Sequence, residues 1–130
     1  VIDIQISVAS LEPTDTFLGP LTGMGFLYRA DNPERTKRYF REPPGQHRTH
    51  VHVRQLGSFS QQFPLLFRDC LRCHTSAATE YAAAKRRCAA KFRYDRPSYV
   101  RAKDPFVWDI IRRADAWAQD TGWLPDPTDA

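Results

Sequence analysis

Positive charge is missing from both ends of this chain. Residues 1–28 and residues 114–130 contain no Lys or Arg, so the middle holds all 19 bases against eight of the 15 acids. A basic centre of this kind favours an anionic partner, whether a nucleotide, a phosphorylated metabolite or nucleic acid, unless it is simply a solvated surface. Long apolar runs are also missing. Nothing approaches the roughly 18 residues of a membrane span, and no basic start with an apolar core and small-residue cleavage site marks a leader. The expectation is a soluble, cytoplasmic protein with no membrane partner. Cysteine is scarce and odd in number, at three, which argues for reduced thiols over a disulfide framework. Repeats and long linkers are absent. The 130 residues suit one domain, placed at residues 1–124 with a flexible tail at 125–130.

What is present divides into a β-rich half and an α-rich half. Ile2, Ile4, Ile6 and Val8 alternate with Asp3, Gln5 and Ser7, the period of a strand with one polar face. Phe17, Leu18 and Leu21 suggest a short helix, interrupted by Pro20 and ending near Gly23 or Gly25. Residues 26–30 and 37–41 read as strands around an Asp31-Asn32-Pro33 turn, and 48–55 as a further strand. Helical spacing follows from Phe59 to Leu71, with a start near Gln61 that would keep Pro64 in the first turn. Residues 77–92 are alanine-rich, with Tyr81, Lys85, Cys88 and Phe92 on one stripe. Asp104-Pro105 reads as the cap of a last helix that stops at Gly122. This order predicts an α+β fold in which a small mixed sheet packs against helices and the C-terminal half is helical.

Three groups of residues carry chemical interest. Arg48, His50, His52 and Arg54 share one face of their strand. If that strand neighbours the first, Asp3 and Gln5 meet the two imidazoles, a set that could hold a divalent metal or act as acid and base on a phosphate ester, with Arg48 and Arg54 neutralising the phosphate. The bland alternative is a solvated sheet face. Arg68 and Arg72 are a like-charge pair four apart, either solvated or bridged by an anion. Lys85 must snorkel or reach an acid or phosphate. Cys70-Leu71-Arg72-Cys73-His74 matches the pattern for covalent haem attachment. The apolar position of Cys70 and the lack of a leader weigh against it, so no haem is expected, and a Zn site adding Cys88 is not favoured.

Ile2-Asp3-Ile4-Gln5-Ile6, Gly25-Phe26 with Tyr39-Phe40-Arg41, Arg48 to Val53, Phe67 to Arg72, Tyr81 with Lys85, and Tyr99 with Lys103 occur in an order and spacing that resembles the GrpB family of small bacterial proteins. The likeness covers almost the whole chain and implies a nucleotidyltransferase-like fold. It implies that Asp3 corresponds to the first carboxylate of the transferase metal site, that Gln5 stands where an active transferase places its second acid, and that His50 and His52 lie near the third. Relatives also carry a helix, a strand and a Gly-Ser phosphate loop ahead of the segment that begins here. In some actinobacteria the family's domain is fused to dephospho-CoA kinase.

The reading that follows is a domain binding a nucleotide or related phosphorylated ligand, with weak or no transferase activity and an accessory link to coenzyme A synthesis. Asp3, His50 and His52 would be the catalytic and metal residues, with Mg²⁺ or Mn²⁺ ahead of Zn²⁺. Gln5, Arg38, Arg48, Arg68, Arg72, Lys85 and Lys103 would contact ligand or phosphate. A homodimer is compatible with it; nucleic acid is not the favoured partner. The alternative is a non-catalytic basic module that docks on an acidic protein or nucleic acid.

Overall fold

A computed structural model describes residues 1–127 of the chain; the end of the expected tail, 128–130, lies outside the described residues. The elements run β1 (Ile2–Val8), α1 (Asp15–Gly23), β2 (Leu27–Tyr28), β3 (Lys37–Arg41), β4 (Thr49–Gln55), α2 (Phe59–Cys73), α3 (Thr75–Lys91) and α4 (Arg96–Thr121). The fold is α+β, a mixed four-stranded sheet followed by helices. The chain divides into two compact units, Val1–Gln62 and Phe63–Ala130, and the division falls within α2.

In the first unit the sheet order is β1-β4-β3-β2. β1 lies parallel to β4, with Asp3 opposite His50 and Gln5 opposite His52. β3 lies antiparallel to β4, with Tyr39 opposite His52 and Lys37 opposite Arg54. Since side chains alternate along a strand, these registers give the sheet two unlike faces. One face carries Val51, Val53 and Phe40, all essentially inaccessible, against Phe17 and Leu21 of α1 and Leu11 before it. Ile6 and Val8 pack against this core, whereas Ile2 and Ile4 remain 50% and 40% exposed at the start of the strand. The other face carries Asp3, Gln5 and Ser7, His50, His52 and Arg54, and Lys37, Tyr39 and Arg41.

The strand expected over 26–30 shortens to Leu27–Tyr28, the two residues that oppose Arg41 and Phe40. The helix expected from Gln61 begins at Phe59, because Ser58 caps it. The Ser58 hydroxyl accepts from the Gln61 amide at 3.2 Å, and the Gln61 side-chain oxygen accepts from the Gly57 amide at 3.2 Å, a close variant of the reciprocal Ser-x-x-Gln cap. Pro64 therefore falls inside the helix, beyond the first turn where its missing N–H would cost nothing. Replacing Ser58 with Ala is expected to cost about 1 kcal/mol and with Gly only a few tenths, read from urea unfolding.

In the second unit Cys70 of α2, Ala77, Ala84 and Cys88 of α3, and Ile110, Ile111 and Ala114 of α4 are buried. Phe67 stacks edge-on against Tyr81 at 5.2 Å, and His74 against Trp117 at 5.8 Å. Burial pushes the Cys70 thiol up, so it serves as a small apolar side chain, while Cys73 is exposed. The buried line of α3 runs through its alanines. Lys85 lies off that line, exposed, with its ammonium over the Tyr81 ring at 5.3 Å. The last helix starts at Arg96, eight residues before the Asp104-Pro105 expected to begin it. The Asp95 carboxylate accepts from the Ser98 amide at 3.0 Å and Pro97 occupies the first turn, so Pro105 is internal. Gly122 ends the helix at φ +68°, as its sequence position suggested. Among the described residues, no helix is long and apolar enough to cross a membrane.

Candidate functional site

The polar face of the sheet brings together residues far apart in sequence. Asp3 Oδ1 lies 3.0 Å from His50 Nδ1 and 3.7 Å from His52 Nε2, and one ligand atom from each of the three falls within 4.8 Å of the others. Arg48 Nε approaches His50 Nε2 at 3.5 Å. A guanidinium can only donate, so His50 accepts on Nε2 and donates from Nδ1 to the Asp3 carboxylate.

His52 is held differently. Tyr39 stacks on its ring at 5.1 Å and 31° and meets His50 edge-on at 5.7 Å. His52 Nδ1 is buried without a hydrogen-bond partner. Burial, then the charges of Lys37 and Arg54, push the His52 pKa down to about 4, against the opposing pull of Asp3. The ring is therefore neutral at pH 7, the form that ligates metals. This has a stability consequence. The unfolded ring takes up its proton near 6.5, so between about 6.5 and about 4 the unfolded chain binds more protons than the native one. Stability is full above pH 6.5, declines as the pH falls to about 4, and levels off below. The loss is on the order of 1–2 kcal/mol after allowance for solvent screening, and His52→Gln should flatten that part of a melting-temperature profile against pH.

Beyond the imidazoles stands a charged cluster that sequence reasoning only partly identified. Arg54 is 7% exposed, and its Nε is buried without a partner. Glu34 bridges Lys37 at 2.6 Å and Arg54 at 3.5 Å. Burial raises the Glu34 carboxyl, but the hydrogen bonds from Lys37 and Thr36 and the two cationic charges outweigh it, so its pKa lies below the usual range. Arg41 is held by Glu42 through bonds of 2.8 and 2.9 Å. That pairing and the Thr49 amide, which donates to Glu42 at 3.1 Å, bring the Glu42 carboxyl down to about 2.

Gln5 lies beside His52 in register, but its amide donates to the Gln61 carbonyl at 2.9 Å. Gln61 in turn donates from its side chain to Ser7 at 3.3 Å, tying the first turn of α2 to the polar face of β1. Arg38 has the opposite parity to Lys37 and Tyr39, faces away from the imidazoles, and pairs with Glu12. Lys37 and Tyr39 stand on the imidazole face instead, as the register of β3 and the burial of Phe40 establish. The other four expected contacts lie in the second unit. Arg68 engages Asp69 at 2.7 Å and Arg72 approaches it at 3.8 Å, with Trp123 donating to the same carboxylate at 3.1 Å. Lys103 stands over Tyr99 at 5.5 Å, as Lys85 does over Tyr81.

The donor set fits a divalent cation once His50 shifts its proton from Nδ1 to Nε2 and Arg48 turns aside, since Nδ1 cannot both donate to Asp3 and ligate. An ion bonding at about 2.0–2.2 Å keeps its ligand atoms roughly 3–3.5 Å apart, and the two distances to Asp3 bracket that span. Two imidazoles and one carboxylate suit Mn²⁺ or Zn²⁺ better than Mg²⁺, which prefers oxygen.

Residues 1–113 match the family model described as GrpB protein. The chain belongs to the GrpB family. Among curated relatives, this GrpB chain is 35% identical over 147 aligned positions to a protein named dephospho-CoA kinase from Mycolicibacterium paratuberculosis, covering 96% of this chain and 36% of the relative. It is 31% identical over 117 positions to the UPF0157 protein YqkA of Bacillus subtilis, covering 90% and 34%. It thus spans about a third of the length of these two relatives. Among solved structures, the conserved protein GrpB from Enterococcus faecalis superimposes with a TM-score of 0.72 at 26% identity, covering 90% of this chain and 72% of that one.

Proposed function

We propose that this GrpB domain binds a nucleotide or related phosphorylated ligand through a divalent cation held by Asp3, His50 and His52, with weak or no transferase activity. The observation that carries the reading is the convergence of those three side chains within 4.8 Å on a sheet face that also holds Lys37 and Arg54. The cation would supply charge for phosphate oxygens; Tyr39 orients His52, and the depressed pKa keeps that ring unprotonated. Weak transfer follows from Gln5. The family resemblance implies an acid there in an active transferase, whereas this neutral amide is engaged with Gln61 and cannot replace an anionic oxygen.

This chain aligns with only about a third of relatives named dephospho-CoA kinase, and that partial overlap is what supports an accessory role beside coenzyme A synthesis. Dephospho-CoA and ATP, both adenosine-containing phosphate esters, are therefore the first ligands to test. Calorimetric titration of each with Mn²⁺, Mg²⁺ or EDTA is expected to give metal-dependent binding. The absence of heat at millimolar ligand with either metal would sink the proposal. Binding that survives Asp3→Ala and His52→Ala but fails with Arg68→Ala and Arg72→Ala would instead favour a basic docking module.

A further inference from the structure

The densest charge in the molecule lies outside the site described above. Residues 85–103, the second half of α3 and the first of α4, contain eight Lys and Arg and one acid, Asp95. Asp95 is occupied in capping Ser98. No described acid forms an ion pair with any of the eight. Such a cluster repels itself, and a polyanion relieves the repulsion.

Charge alone would suit many anions, but the rings are more selective. Where α3 turns into α4, Phe92, Arg93, Tyr94, Arg96 and Tyr99 line an open recess of about 300 Å³, near the lower bound for ligand pockets. Each ring carries its own cation. Lys91 stands 5.3 Å from Phe92, Arg93 5.5 Å from Tyr94, and Lys103 5.5 Å from Tyr99. Tyr94 is 92% exposed and makes no core contact. Aromatic faces interleaved with cations are what an unpaired strand requires, bases stacking on the rings while phosphates meet the charges. A duplex hides its base faces and an acidic peptide has none, so neither would use Tyr94.

We infer that the α3–α4 turn binds single-stranded nucleic acid. The surface uses none of the residues of the metal-compatible site. The test is fluorescence anisotropy of the whole chain in EDTA, which removes any contribution from a cation at Asp3. The probes are labelled oligo-U and oligo-dT of about 15 nucleotides, within the range of single-strand sites, a duplex of equal length, and vesicles of phosphatidylcholine with phosphatidylglycerol. Both oligonucleotides should bind more tightly than the duplex. Tyr94→Ala, at a side chain outside the core, should weaken single-strand binding about 5- to 100-fold with little effect on the duplex. Arg93→Ala with Arg96→Ala should weaken both and flatten the slope of log affinity against log salt by about 1.4 for single strands. Equal affinity for duplex and single strand, an unchanged Tyr94→Ala variant, or binding to vesicles without binding to oligonucleotides would each overturn the inference.

Discussion

Asp3→Ala is expected to raise the dissociation constant for Mn²⁺ by about 100-fold or more, and with it to abolish metal-dependent nucleotide binding. Asp3 supplies the only negative charge in the set, and its Oδ1 is the atom close to both imidazoles. Loss of a supporting residue outside the ligand set typically costs 10–100-fold in metal affinity, so loss of the carboxylate itself should cost at least that. The side chain is 66% exposed, so its removal leaves no cavity and the melting temperature without metal should stay close to that of the parent. Asp3→Asn separates charge from shape and should fail nearly as badly. Titration calorimetry or the loss of the free Mn²⁺ resonance measures the effect. Unchanged affinity in both variants would mean that the three side chains hold no cation together.

Phe40→Ala should destabilise the protein by about 3–5 kcal/mol, a large part of the 5–15 kcal/mol typical of a small domain. Phe40 is completely buried, belongs to the cluster with Val51, Val53, Phe17 and Leu21, and meets Tyr28 at a ring distance of 5.0 Å. Its neighbours in the chain, Tyr39 and Arg41, stand on the opposite face of the sheet with the imidazoles. One short strand thus anchors the core and supports the site. Urea unfolding followed by circular dichroism should give a midpoint far below that of the parent, together with loss of metal binding before global unfolding is complete. A cost under about 1 kcal/mol would show that the core does not depend on this ring.

How much of this was legible in the sequence depends on how cleanly each segment alternates. β1 alternates throughout and β4 does so from His50 to Arg54, so the parity that sets Asp3 and Gln5 against His50 and His52 could be read directly, given only that the strands were neighbours. β3 could not be read that way. Lys37-Arg38-Tyr39-Phe40-Arg41 mixes charge and aromatic rings on both faces, and only the burial of Phe40 reveals that Tyr39 and Lys37 belong with the histidines while Arg38 does not. Helix ends show the same contrast. Gly122 stops the last helix as expected, whereas its start was placed at Asp104-Pro105 and lies instead at the Asp95 cap, with Pro97 in the first turn. The α2 start was encoded in Ser58-Phe59-Ser60-Gln61, but Pro64 drew attention away from it. Arg54 and Glu34 form a pair that only the fold could supply, since the loop that carries Glu34 has no periodicity.

Among the described residues, β1 pairs with β4 along its whole length. β4, which carries both imidazoles, pairs with β1 on one side and β3 on the other, so the carboxylate, the imidazoles and Tyr39 stand on three neighbouring strands. A cation held by Asp3, His50 and His52 would join two of those strands through their side chains, and its capture should appear as slowed amide hydrogen exchange along the β1–β4 ladder.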